Sequence, residues 1–297
     1  MVALKGKGGI GSVDDIFSFI FMQRALIASV MIGVLCSTVS VLVVLKRLSF
    51  LSVGLSHSAL GGIAIGLVTG VNPMLTGILF AITVALASGL ASYRRKISED
   101  TAIGIMFSAG MGLGILLISL ARGYYPELFS LLFGNILAVT SADLYLLGAV
   151  TAVVLLFIGF FMKELLAICF DEEMAFIGGI PVMPLYLSML VAMAVTIMVS
   201  VKIAGVVLAS ALLVIPAATG YRLSNNYRGM LVTSLVTGLI GCIGGLVLSY
   251  FWDIPSGATI VLVMTALFLF SGFKKNRDLP GTHSDNPPPH LSRKNNS

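Results

Sequence analysis

Long apolar stretches separated by short polar loops constrain this chain more than any other feature. A helix that crosses a bilayer needs roughly 20 apolar residues, and only 10% of this chain is charged, against about 25% in soluble domains. The sequence therefore predicts an all-α membrane helix bundle with about nine transmembrane helices, within a range of about eight to ten. The candidate spans are 20–45, 55–71, 74–92, 102–121, 143–162, 183–200, 203–221, 230–250 and 256–273.

The spans define one membrane domain between two polar ends. Residues 1–16 form a polar leader, 17–273 the transmembrane domain, and 274–297 a tail rich in proline, asparagine, serine and charge. Such a tail cannot bury enough apolar surface to fold, so we expect it to be disordered and cytoplasmic. The longest interior loop, at about 163–182, is also expected to be cytoplasmic.

Cationic loops predict the orientation of the bundle. If nine helices alternate, five cationic clusters share one side, and the opposite side receives Asn72-Pro73, Arg122–Glu127, Lys202 and Trp252–Pro255. The positive-inside rule then places the N-terminus outside and the C-terminus in the cytoplasm. The net charge of +5 reflects this asymmetry, and no nucleic-acid partner is predicted. The five clusters are Lys46-Arg47, Arg94–Lys96, Lys163, Arg222 with Arg228, and Lys274–Arg277.

Glycines recur at the spacing of helix-packing ridges. Gly62, Gly66 and Gly70 form one ridge, and Gly241 and Gly245 form another. Small residues let helix backbones approach closely in lipid. We therefore interpret both ridges as helix-packing surfaces and not as binding sites.

A short helix is predicted within the long interior loop. Asp171 can cap it, and Glu172 and Glu173 are then favourably placed in its first turn. Gly178 or Gly179 can end it, since glycine readily adopts the left-handed conformation at a helix C-terminus.

Three apolar residues of this short helix, Met174, Phe176 and Ile177, are predicted to be exposed to the cytoplasm. Exposed apolar groups usually have a partner. A helix lying on the bilayer is the alternative, but its acidic start would be repelled by anionic lipid. The pattern favours docking to a protein.

One histidine, His57, lies among small residues where the second span enters the membrane, whereas His283 and His290 lie in the polar tail. An imidazole in an apolar helix is costly to bury without a partner. The position of His57 therefore indicates a functional role. The alternative is a packed histidine bonded to Ser56 or to a backbone carbonyl.

Five motifs in order give the chain a resemblance to the permease family of metal-ion ABC importers. They cover the chain from about residue 24 to 273, leaving only the ends unmatched. The motifs are 49–62, 98–108, 131–143, 170–175 and 205–218.

The resemblance implies a type II ABC importer permease-like fold and the import of zinc, manganese or ferrous iron, without a permanently bound cofactor. Implied partners are a cytoplasmic ABC ATPase, an extracytoplasmic metal-binding protein and a second copy of the chain in the prokaryotic cytoplasmic (inner) membrane. The short interior helix resembles the coupling helix that docks on the ATPase. Its implied coupling residues are Phe170, Asp171, Glu172, Glu173, Ala175 and Gly178.

The resemblance also makes His57 a candidate metal ligand of the translocation path, because neutral imidazole binds zinc and other first-row metals. The family often carries an aspartate four residues before this histidine, on the same helix face. Here that residue is Val53, which removes an oxygen ligand suited to manganese. Zinc is therefore the first expectation for the transported ion, with manganese and iron as alternatives.

Carboxylates at helix starts allow two interpretations. Glu99 and Asp100 begin the fourth span, where they can stabilise the helix N-terminus or form a weak exit site for a divalent cation. Asp143 is expected to cap the fifth span on the outer side. Capping is the favoured interpretation at both places.

Other function classes fit less well. A secondary transporter or channel acting alone would need more carboxylates within its spans for ion coupling. A permease for iron chelates or cobalamin-like cargo would not need a histidine at a constriction. A membrane enzyme is not predicted, since no nucleophile–base pair is visible and any ATP hydrolysis is expected on a separate chain.

Overall fold

A computed structural model describes residues 19–93, 98–120, 134 and 136–272, and within these ranges all regular structure is helical. The polar leader at 1–16, the tail at 274–297 and both tail histidines lie outside the described residues. The described residues form twelve α-helices, with a 3₁₀ turn at Ile136–Ala138 before the fifth of them. They are α1 Ile20–Leu45, α2 Ser49–Thr69, α3 Pro73–Tyr93, α4 Glu99–Leu120, α5 Ser141–Phe160, α6 Met162–Phe170, α7 Glu172–Ile177, α8 Val182–Ala204, α9 Val206–Leu212, α10 Ile215–Leu223, α11 Tyr227–Trp252 and α12 Ser256–Ser271.

The predicted membrane bundle of about nine spans is confirmed. Among the residues described, eight helical segments are long and apolar enough to cross a bilayer, and the 16-residue α12 is a shorter apolar helix. The boundary between the sixth and seventh spans, predicted at 201–202, lies at Gly205, because α8 continues through Lys202 to Ala204. Gly205 has φ of 85°, a backbone conformation that glycine adopts at no steric cost.

The seventh span is broken, which the apolar pattern did not predict. It consists of α9, a turn at Leu213–Val214, and α10. Pro216 stands in the first turn of α10. A proline there lacks the N–H of a continuous helix and its ring would clash with a carbonyl four residues earlier, so the helix restarts.

Burial separates central from peripheral helices. In α1, α2 and α8, 72%, 67% and 61% of the most apolar window is buried, whereas in α4 and α5 only 17% is buried. The outer faces of α4 and α5 therefore meet lipid or another chain, and the central helices hold the core.

Glycine packing agrees with the predicted ridges, with one exception. Gly62 and Gly66 lie against α3, while Gly241 and Gly245 lie against α12, all at distances that leave no room for a side chain. Gly70 instead ends α2 with φ of 72°, and a Cβ added there would meet no atom within 4 Å. Its role is helix termination, which requires the left-handed conformation.

The close contact between α2 and α4 yields a stability prediction. A Cβ added at Gly61 would lie 2.5 Å from the backbone oxygen of Gly110, whereas one added at Gly112 would meet nothing within 4 Å. We expect Gly61→Ala to lower the free energy of unfolding by about 1–3 kcal/mol through overpacking. Thermal unfolding of the detergent-solubilised protein measures this, with Gly112→Ala as the matched control. Equal midpoints for the two variants would contradict it.

Candidate functional site

His57 lies on α2, half-buried, with one ring nitrogen bonded and the other available. Its Nδ1 is 3.0 Å from the carbonyl oxygen of Val53, one turn earlier. The ring also contacts Phe107 of α4 edge to face, with centroids 5.6 Å apart. These two contacts fix the position and the tilt of the imidazole.

The bond to Val53 also determines which nitrogen can act as a ligand. A carbonyl oxygen only accepts, so Nδ1 must carry the proton and neutral His57 presents the lone pair of Nε2. Ser56 is not the partner, because its hydroxyl donates to the carbonyl of Ser52 at 2.7 Å. The sequence allowed a packed histidine bonded to a backbone carbonyl, and this bond is present. It uses only Nδ1, however, and leaves Nε2 without a hydrogen bond to the described residues.

The acidic residues at the start of α4 do not join His57. Across the described ranges, no group of three or more histidine, cysteine, aspartate or glutamate side chains could hold a metal ion. Glu99 precedes Phe107 by eight residues, roughly 12 Å along a helix. Ser98 provides the side-chain cap, since its Oγ accepts from the Thr101 amide at 3.2 Å. Glu99 accepts from another helix, and Asp100 is exposed.

The short helix in the interior loop forms as its sequence predicts. Asp171 Oδ1 accepts from the amides of Glu173 and Met174, each at 3.0 Å, and so caps α7. The helix ends at Ile177, and Gly179 follows with φ of 81°. The Ile180 amide then donates to the carbonyl of Ala175 at 3.1 Å, completing a glycine-terminated helix end.

One face of α7 is fixed to the chain and the other is open. Ala175 is 4% exposed and packs with Ile168, Val182 and Leu185 of the flanking helices. It thus holds α7 in place from inside, although the sequence grouped it with the docking residues. Gly178 is exposed, and four large apolar residues at the end of α6 and on α7 are 65% to 78% exposed, two of them, Phe176 and Ile177, bordering the space between α7 and the bundle. These four are Phe170, Met174, Phe176 and Ile177.

Four polar side chains from distant parts of the sequence form a network beneath α7, which the sequence did not predict. Lys46, directly after α1, forms an ion pair with Glu172 of α7. Its ammonium also lies 5.5 Å from the ring centroid of Tyr186 on α8, and the Tyr186 hydroxyl donates to Glu99 Oε1 at 2.9 Å. All four side chains line a cavity of about 760 Å³ between α7 and the bundle. From the sequence, Lys46 indicates only the orientation of the bundle, because its partners are distant in sequence.

Cys169, on α6, lies near this network but is not prepared for metal binding. Burial raises the pKa of its thiol to about 11, an effect that Lys46 reduces and Glu172 increases. The thiolate is the form that binds metals. Cys169 is therefore protonated at neutral pH.

The opposite end of the bundle carries its own charged contact. Thr140 and Asp143 form a reciprocal capping box at the start of α5, which confirms the predicted cap. Asp143 also pairs with Lys202 of α8 at 2.6 Å. Nearby, Gly134 lies so close to the backbone of Ala204 that a side chain would collide. These contacts join the start of α5 to the end of α8.

Almost the whole chain is similar to one known protein family. The profile described as "ABC 3 transport family" matches residues 18–275. The manganese transport system membrane protein MntC of Halalkalibacterium halodurans is 34% identical over 260 residues, covering 88% of this chain and 89% of that protein. The high-affinity zinc uptake system membrane protein ZnuB of Haemophilus influenzae is 30% identical over 259 residues, covering 87% and 99%.

A solved structure extends the similarity to three dimensions. The structure described as PsaBC from Streptococcus pneumoniae in complex with Fab matches with a TM-score of 0.78 and 33% sequence identity. The match covers 88% of this chain and 94% of that one. The helix arrangement found here is thus shared along nearly the whole bundle.

Proposed function

Because the chain belongs to the ABC 3 transport family of metal-ion ABC transporter permeases, we propose that it is the membrane subunit of an ATP-driven importer of divalent transition metal ions, with zinc as the favoured cargo. It is a multi-pass membrane protein, and its role is transport. ATP hydrolysis belongs to a separate cytoplasmic ATPase, and an extracytoplasmic metal-binding protein delivers the ion.

The environment of His57 supports zinc as the transported ion. His57 is half-buried and oriented by Val53 and Phe107, with Nε2 as its available nitrogen. Neutral imidazole is a good zinc ligand, and a hydrogen bond at the second nitrogen increases its basicity. One ligand from each chain also suits transport, since a site that binds too tightly would trap the ion.

Manganese is the second candidate, and the relatives named for manganese transport favour it. Manganese prefers oxygen ligands, and Val53 supplies no side-chain oxygen one turn before His57. We expect Val53→Asp to shift the ratio of manganese to zinc uptake toward manganese by about tenfold, because a carboxylate then joins the imidazole on one helix face. Competition uptake with both metals measures the ratio, and Val53→Asn provides the control of equal size. An unchanged ratio would contradict it.

The assembly proposed is a homodimer in the cytoplasmic (inner) membrane, with the N-terminus outside and the C-terminus inside. The cationic loops support the orientation. The mostly unburied faces of α4 and α5 provide surface for lipid and for the second copy. Two copies would contribute two His57 side chains to one path.

Metal uptake into vesicles tests the proposal. The vesicles hold this chain, its ATPase and its binding protein, and zinc, manganese and ferrous iron compete with and without ATP. We expect uptake that requires ATP and favours zinc. Uptake independent of ATP would overturn the proposal in favour of a secondary transporter or channel, and preferential manganese uptake would overturn the choice of zinc.

A further inference from the structure

We infer that Lys46 is the junction that transmits movement of α7 to α4 and thereby to His57. This inference rests on the proposed function, and it assigns Glu172 a role different from ATPase contact. The carboxylate of Glu172 is directed at its own membrane domain, where it pairs with Lys46.

The position of Lys46 makes it suited to connect separate helices. Its side chain is 13% exposed, and it follows the end of α1, the most buried helix of the bundle. A charge held in such a place requires its partners, so the ammonium follows Glu172 and Tyr186 when they move. Isolated ion pairs on a surface contribute little. Here the pair is instead part of a network that joins four helical segments.

Tyr186 carries the connection to α4. It is 4% exposed on α8, and its hydroxyl donates to Glu99 in the first turn of α4. Leu51 of α2 lines the same small packing gap as Tyr186 and Glu99. A displacement of Tyr186 therefore acts on the ends of α4 and α2 that face α7.

One face of α4 connects Glu99 to His57. Glu99, Ile103 and Phe107 stand at i, i+4 and i+8, so they share one face of the helix. A Cβ added at Gly54 of α2 would lie 2.5 Å from Ile103 Cγ2, and Phe107 contacts the His57 ring. Tight packing transmits displacement between the two helices without an intervening gap.

The series of contacts is therefore continuous from the loop to the candidate ligand. It runs from Glu172 through Lys46 and Tyr186 to Glu99, and then along α4 to His57. A cavity of about 760 Å³, lined by Lys46, Glu99, Glu172 and Tyr186, lies beside this series between α7 and the bundle. The chain thus contains a route from the docking loop to its candidate metal ligand.

The test uses the complete complex of this chain, its ATPase and its binding protein in liposomes. We expect Lys46→Met and Glu172→Gln each to lower the metal transported per ATP hydrolysed by about tenfold, with copurification of the ATPase unchanged. The double variant should be no worse than either single variant, since both remove the same connection. The matched control is Lys163→Met, because Lys163 is an exposed lysine on α6.

Rescue separates this role from a merely structural one. Lys46→Arg should retain most of the coupling, and the exchange of charges in Lys46→Glu with Glu172→Lys should restore at least a large part of it. Wild-type coupling in Lys46→Met, or additive losses in the double variant, would overturn the inference. A wild-type complex that imports metal without ATP would instead overturn the proposed function. If the Lys46→Met complex does not assemble, the Lys46→Arg complex decides the test. Loss of coupling in an assembled Lys46→Arg complex would overturn the inference, and retained coupling would support it.

Discussion

Replacing His57 with alanine is expected to lower ATP-driven zinc uptake by about 10–100-fold, the range found when the environment of a metal ligand is disrupted. The bond from Nδ1 to the Val53 carbonyl and the contact with Phe107 orient the ring and leave Nε2 as the nitrogen proposed to bind the ion. Alanine removes that nitrogen and leaves the backbone carbonyl in its ordinary helical bond. Uptake into vesicles at several zinc concentrations measures the change.

The controls for His57→Ala separate ligand loss from misfolding. Ser56→Ala removes a neighbouring hydroxyl that bonds only within α2, and it should transport like the wild type. Copurification with the ATPase should be equal for both variants, since the contacts of His57 are with Val53 of α2 and Phe107 of α4 and not with α7. Normal zinc uptake by assembled His57→Ala would mean that the histidine is only a packed side chain.

Replacing Phe176 and Ile177 together with glutamate is expected to abolish stable association with the ATPase and to reduce uptake to background. The two side chains are 71% and 78% exposed on a rigidly capped helix. Apolar anchors of this kind contribute about 2 kcal/mol or more each to protein interfaces, which corresponds to about 30-fold in affinity.

Copurification from detergent and ATP-dependent uptake together measure this effect. Lys163→Glu is the control, since it adds negative charge at an exposed position on the neighbouring α6. The fold of the double variant should be unaffected, because Ala175 and not the outer residues fixes α7 to the bundle. Full association of the double variant would place the ATPase contact on another part of the chain.

The sequence was sufficient for features that depend on local chemistry. Bilayer-length apolar stretches predicted the bundle, and Asp171 together with the following glycines predicted the short α7. Such features can be predicted because a cap or a glycine turn acts within a few residues. The exposure of Phe176 and Ile177 was predicted from their place on this short helix in the interior loop.

Features that depend on long-range contacts were not predictable from one sequence. The pairing of Lys46 with Glu172 joins residues 126 positions apart. Ala175 resembles its exposed neighbours in sequence, but the packing of α6 and α8 decides that it is buried. The break before α10 lies in a continuous apolar run, so hydropathy gave no signal, and Pro216 alone marked it.

The broken seventh span has a consequence for synthesis and membrane insertion. The seven residues of α9 rise only about 10 Å, whereas the hydrocarbon core is about 30 Å thick. Gly205 alone separates α9 from α8, so no polar loop intervenes to be translocated as an independent segment. The broken end of α9 would expose unsatisfied backbone groups to lipid without α10. We therefore expect the segment from Val182 to Leu223 to enter the bilayer as one unit.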